Sequence, residues 1–123
     1  IISDYGTDAL AATRAFQAAN RPLVPIATLD ANGLACLYDQ VKDSNPKFQL
    51  ATISSRNWLG RIAARKAIAA AQGIPNDEPS KYSLPLFEDS LGGQAPQCVD
   101  GAPADYYVSN KISQDDIAKY GKP

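Results

Sequence analysis

An α/β fold built on a three-layer parallel sheet is what the sequence predicts, and three observations carry the prediction. Short apolar runs at residues 23–29 and 48–53 alternate with longer stretches whose apolar residues recur at three- and four-residue steps. The connections between them are brief and marked by Asn, Gly and Pro. The resulting order, β-α-β-α-β-α-β, favours parallel strands joined by right-handed crossovers.

Ile1-Ile2-Ser3 reads as the last part of a strand that runs into the loop Asp4-Tyr5-Gly6. Thr7 is placed to cap a helix over residues 8–19, with Asp8 at its positive end and Ala9, Ala12, Phe16 and Ala19 along one apolar face. Asn20-Arg21-Pro22 ends it, because proline disfavours a helical residue before it. Residues 23–29 form the second strand, where Pro25 cannot donate to a ladder and marks an irregularity or an edge.

Asp30-Ala31-Asn32-Gly33 turns the chain into a helix bearing Leu34, Leu37, Tyr38 and Val41, which stops near Ser44-Asn45-Pro46. Residues 48–53 are the third strand, with Phe48, Leu50 and Thr52 on one face. A helix from Trp58 to Gln72 follows and is closed by Gly73 and Pro75. Leu59, Ile62, Ala63 and Ala70 share one of its faces, and Ile68 falls on the other. Residues 74–81 are a polar linker, and residues 82–87 read as a fourth strand or an extended segment. Beyond a loop-rich stretch come a short extended run at 105–108 and a final helix capped by Ser113, with Asp115 and Asp116 in its first turn.

Composition excludes several function classes. Twelve basic and 13 acidic residues leave a net charge of −1, without the basic footprint that nucleic acid or an anionic membrane requires. No apolar run approaches the roughly 20 residues of a membrane span. Absence of His removes the usual general base and many zinc sites. Ser54 and Ser55 have no His neighbour to activate them, and one glycine at Asp30-Ala-Asn-Gly33 makes no phosphate loop. The expectation is a protein that is not an enzyme and carries no cofactor or metal. Cys36 and Cys98 suit either a disulfide in an oxidising compartment or two buried thiols, and both remain open.

In an open parallel sheet, ligands bind beyond the carboxyl ends of the strands. That rule selects Asp4 and Tyr5, then Asp30 and Asn32, then Ser54, Ser55, Arg56 and Asn57, with Trp58 opening the next helix. The mixture suits a sugar. A carboxylate accepts from two vicinal hydroxyls, Asn and Arg donate to hydroxyl and ring oxygens, and an aromatic ring covers the apolar face of a pyranose. The competing reading has Asp30 capping the following helix and Trp58 in the core. Arg61 and Arg65 read as a solvated or ion-paired face, and Tyr106-Tyr107 as packing for the tail.

Ile1-Ile-Ser-Asp-Tyr-Gly-Thr-Asp-Ala-Leu-Ala-Ala-Thr-Arg-Ala-Phe16, Val24-Pro-Ile-Ala-Thr-Leu-Asp30 and Ala51-Thr-Ile-Ser-Ser55 resemble the C-terminal third of type I periplasmic sugar-binding proteins, the ribose- and galactose-binding group that serves ABC importers. Leu84-Pro-Leu-Phe-Glu-Asp-Ser-Leu-Gly-Gly-Gln-Ala-Pro-Gln-Cys98 onward resembles the extension of a bacterial subgroup of these importer components. The resemblance implies that Tyr5, Asp30 and Ser54 or Ser55 contact the sugar, although the usual amide at the first position is Tyr5 here. It implies two α/β lobes in a chain about twice this length or more, a hinge crossed near residues 54–57, a periplasmic location and an ABC permease as partner.

On that basis residues 1–54 are expected to belong to the C-terminal lobe, residues 55–90 to cross the hinge and return, and residues 91–123 to form the extension. The chain is then expected to be a fragment that pairs its edges with the remaining N-terminal part or with a second, domain-swapped copy. Two rivals share the sequence evidence: the effector domain of a sugar-responsive repressor, and a small α/β interaction domain with no ligand.

Overall fold

Two amphipathic helices lay their apolar stripes on one face of a short sheet, and the core forms between them. In the computed structural model of the chain, residues 1–110 are described. The elements are α1 (Gly6–Ala18), β1 (Ile26–Leu29), α2 (Asn32–Val41), β2 (Leu50–Ile53), α3 (Asn57–Gln72) and β3 (Leu86–Asp89), with short 3-10 turns at Lys42–Ser44 and Val108–Asn110. The chain is therefore a small mixed α/β unit with a three-stranded sheet of order β1-β2-β3. The helix expected from Ser113 lies outside the described residues.

Alternation puts Ile26, Leu50 and Phe48 on the inner side, where they meet Ala9 and Leu10 of α1 and Leu34 and Leu37 of α2. Phe16, Tyr38 and Val41 pack around this cluster. Tyr38 and Phe48 lie with ring centroids 5.6 Å apart, a tilted pair. The strands are shorter than the apolar runs suggest: β1 starts only after Pro25, whose missing N–H cannot enter the ladder.

β1 and β2 are parallel with Thr28 opposite Thr52, and Ile2 bridges Ala27 in the same sense, so the chain start lies along β1. The last strand departs from the expected parallel arrangement. β3 runs antiparallel to β2, with Ile53 opposite Leu86 and Ala51 opposite Asp89. The chain leaves the sheet at the end of β2, re-enters beside that same end and runs back, so this connection is no crossover over the sheet.

α3 explains why. None of its residues is buried. Its Leu59, Ile62 and Ala63 share a groove with Pro79, Ser80 and Tyr82 instead. Trp58 meets Tyr82 edge-on at 5.3 Å, Arg65 pairs with Glu78, and Lys66 Nζ donates to the Glu78 carbonyl at 2.6 Å. Arg65 is thus ion-paired, one of the two states its sequence context allowed. Gly73 closes α3 in the left-handed region at φ 65°, with Ile74 N–H donating to the Ala69 carbonyl. Ile68 is 57% exposed, in keeping with its stray position on the helix.

Thr7 does not cap α1. The helix begins two residues earlier than expected, at Gly6, Tyr5 holds the cap position in an extended conformation, and no side chain caps it. The cause is a close backbone approach: a Cβ on Gly6 would lie 2.5 Å from the Leu29 carbonyl oxygen and 2.6 Å from Ala31 Cβ. Only glycine lets the first turn of α1 sit against the end of β1.

Candidate functional site

The carboxyl end of β1 delivers Asp30 into the interior, where it is 1% exposed. Both of its oxygens accept from protein donors. Oδ1 takes the Ser55 N–H at 2.8 Å and the Ser109 hydroxyl at 2.8 Å, and Oδ2 takes the Ser109 N–H at 2.9 Å. The carboxylate therefore ties the end of β1 to the loop after β2 and to the tail, and it does not cap α2, whose cap position is Ala31.

That helix end is satisfied by the tail. Asn32 N–H donates to the Tyr106 carbonyl at 2.8 Å and Gly33 N–H to the Ala104 carbonyl at 2.9 Å, filling two of the donors that an α-helix leaves open at its start. Asn32 contributes its side chain as well: Nδ2 donates to the carbonyls of Val99 and Ala102 at 3.0 and 3.1 Å, and Oδ1 accepts from Val99 N–H at 2.7 Å. Cys36, one turn along α2, is disulfide-bonded to Cys98, with Cα atoms 4.5 Å apart. The tail is thus held on α2 covalently and by the backbone acceptors that Asn32 and Gly33 engage.

Ser54 and Ser55 follow β2. The Ser54 hydroxyl donates to Ser109 Oγ at 3.0 Å and accepts from Trp58 Nε1 at 3.0 Å and Arg56 N–H at 3.2 Å. The Ser55 hydroxyl lies 3.3 Å from Ser109 Oγ and donates to Asn110 Oδ1 at 3.2 Å. Arg56 is exposed and held at φ 65°, a conformation few non-glycine residues adopt. Asn57 is exposed at the first position of α3. Trp58 is half-buried against Tyr82, outside the main core.

The structure accordingly brings Asp30, Ser54, Ser55 and Trp58 into one bonded cluster, with Asn32 behind it and Arg56 and Asn57 on its outer rim. Tyr5 is 51% exposed. It lies close enough to Tyr107 to act on it electrostatically: burial pushes the Tyr107 phenol up, and Tyr5, Asp30, Asp105 and Asp8 push it further. Ser109 and Asn110 are the participants that the sequence did not single out. They arrive from a loop about 80 positions beyond Asp30, and only the fold makes them neighbours.

A second polar group lies deeper. The strand register aligns Thr28, Thr52 and Glu88 in one row across the sheet, all buried. Glu88 accepts the Thr52 hydroxyl at 2.7 Å and the Gln97 N–H at 2.8 Å. Burial raises its carboxyl above the usual value, the two hydrogen bonds oppose that, and the Asp30 charge adds to it. Thr28 Oγ1 is buried with no hydrogen-bond partner among the described residues.

Ser109 is 5% exposed, so its bond to Asp30 does not present a nucleophile to a substrate. Among the described residues no group of three or more His, Cys, Asp or Glu is placed to hold a metal, and no helix is long and apolar enough to cross a membrane. No family model, curated protein or solved structure matches the chain.

Proposed function

We propose that this chain belongs to the solute-binding component of a bacterial sugar importer, and that the carboxyl edge of its parallel strands forms one wall of the site. The observation that carries the reading is the convergence of the loops after β1 and β2 on a single hydrogen-bonded cluster around Asp30, with Tyr5, Arg56 and Asn57 left accessible at that edge. In this reading Tyr5 offers a ring to the apolar face of a pyranose or polyol, and Arg56 and Asn57 donate to its hydroxyls. Asp30, Asn32, Ser54 and Ser55 hold the loops that present them. The periplasmic-binding architecture, with a second lobe supplying the opposite wall and a permease reading the closed form, belongs to the same proposal.

Titration calorimetry of the longest form that the gene encodes, against pentoses, hexoses and polyols, tests it. Binding of at least one sugar, weakened tenfold or more by Tyr5→Ala or Arg56→Ala, is the expected result. Silence across the whole panel, or affinity indifferent to both substitutions, would sink the reading.

A further inference from the structure

Beyond any question of ligand, we infer that Ser109 and Asn110 form an internal latch that fixes α3 to the sheet. Ser109 by itself joins two pieces of the fold, the end of β1 at Asp30 and the loop after β2 at Ser54 and Ser55. Its hydroxyl donates to Asp30 Oδ1 at 2.8 Å and accepts from Ser54 Oγ at 3.0 Å and Ser55 N–H at 3.1 Å, while its own N–H donates to Asp30 Oδ2 at 2.9 Å. Asn110 extends the reach onto α3 itself: its carbonyl accepts from Arg61 Nη2 at 2.8 Å, and its side-chain oxygen accepts from the Ser55 hydroxyl at 3.2 Å.

α3 has little else to hold its direction. It buries no residue, and its apolar side faces the 79–82 segment and not the sheet. The junction from which it springs is Arg56, strained at φ 65°, and such backbone persists only where surrounding contacts over-determine it. The Ser109 bonds to Ser54 and Ser55, the two residues before Arg56, supply that constraint. Because Ser109 and Asn110 are 5% and 7% exposed, these bonds are shielded from competing water. Detaching the tail from Asp30 therefore releases the start of α3 as well, and the arm of residues 57–82 turns about residues 54–56 without disturbing the α1–α2–sheet core.

Trp58, the single tryptophan, reports on that junction through its bond to Ser54. Ser109→Ala removes the hydroxyl and keeps the N–H, and Ser109→Thr keeps both. Amide exchange at Ser55, Arg56 and Trp58 should accelerate at least tenfold in the alanine variant, with a red-shifted Trp58 emission, and return toward wild type in the threonine variant. Exchange at Thr28 and Leu50 should stay unchanged. If the alanine variant leaves the α3 start as protected as before, or loosens β1 and β2 equally, the latch is refuted. Should that variant not fold, wild-type protein decides: under increasing denaturant, the amides of Ser55 and Ser109 should exchange through one shared opening below the global one. Separate openings, or exchange only by global unfolding, would overturn the inference.

Discussion

Asp30 and Glu88 are both 1% exposed, yet their hydrogen-bond partners differ. Asp30 has two backbone N–H groups and a hydroxyl aimed at it, whereas Glu88 has one of each. Glu88 is the carboxyl whose burial is the dominant influence, and its folded value lies above the ordinary 4.5. The folded state then holds that proton more tightly than the unfolded chain does. Below the ordinary value both states are protonated and the contribution is fully present; as pH rises through the folded value, the cost of a buried charge is incurred and the contribution is lost. Glu88→Gln escapes that loss. Its stability relative to wild type should increase as pH rises above the ordinary 4.5, as read by urea unfolding midpoints, and a pH-independent difference would contradict the assignment. That Asp30 ends a strand was legible, since an apolar run stops there. Its partners were not, because Ser109 carries no local signal in a loop of ordinary turn residues.

At the level of elements, two glycines give opposite expectations. Gly6 sits where α1 touches the end of β1, so an added methyl would meet a carbonyl oxygen that belongs to the sheet. Gly6→Ala should lower stability by about 1–3 kcal/mol through overpacking, despite better helix propensity. Gly60 lies inside α3 with nothing among the described residues within 4 Å of a Cβ built there. Gly60→Ala should raise stability by about 0.5–1 kcal/mol, and thermal or urea unfolding of both variants checks the contrast. The helices were readable because their apolar periodicity and closing residues, such as Gly73, are local. The direction of β3 was not, since parallel or antiparallel entry depends on where α3 carries the chain. The α3 apolar face reads the same whether it covers a sheet or the 79–82 segment. Thr7 shows the same limit: its type suits a cap, but the tight contact at Gly6 sets the helix start.

On the scale of the whole molecule, residues 98–110 are part of the fold and not an appendage. The Cys36–Cys98 bond closes a span of 62 residues around β2, α3 and β3. By the loop-closure argument its loss should cost about 4 kcal/mol, seen as a lower urea midpoint after reduction or in Cys36→Ser. A midpoint unchanged by reduction would show that Asn32 and the Asp30 cluster hold the tail unaided.

The clamp at Asn32 also bears on chemical ageing. Asn followed by Gly is the sequence in which the glycine nitrogen most readily attacks the asparagine side chain, giving a cyclic imide and then aspartate or isoaspartate. Here Gly33 N–H is committed to the Ala104 carbonyl, and helical backbone holds that nitrogen away from a side chain already bonded to the tail. The reduced protein should therefore accumulate isoaspartate at Asn32 on incubation while the oxidised protein does not, as peptide mapping would show. The damage would also be self-sealing: an aspartate at position 32 would turn a carboxylate oxygen toward the Val99 and Ala102 carbonyls. A tail once released and aged could not close again.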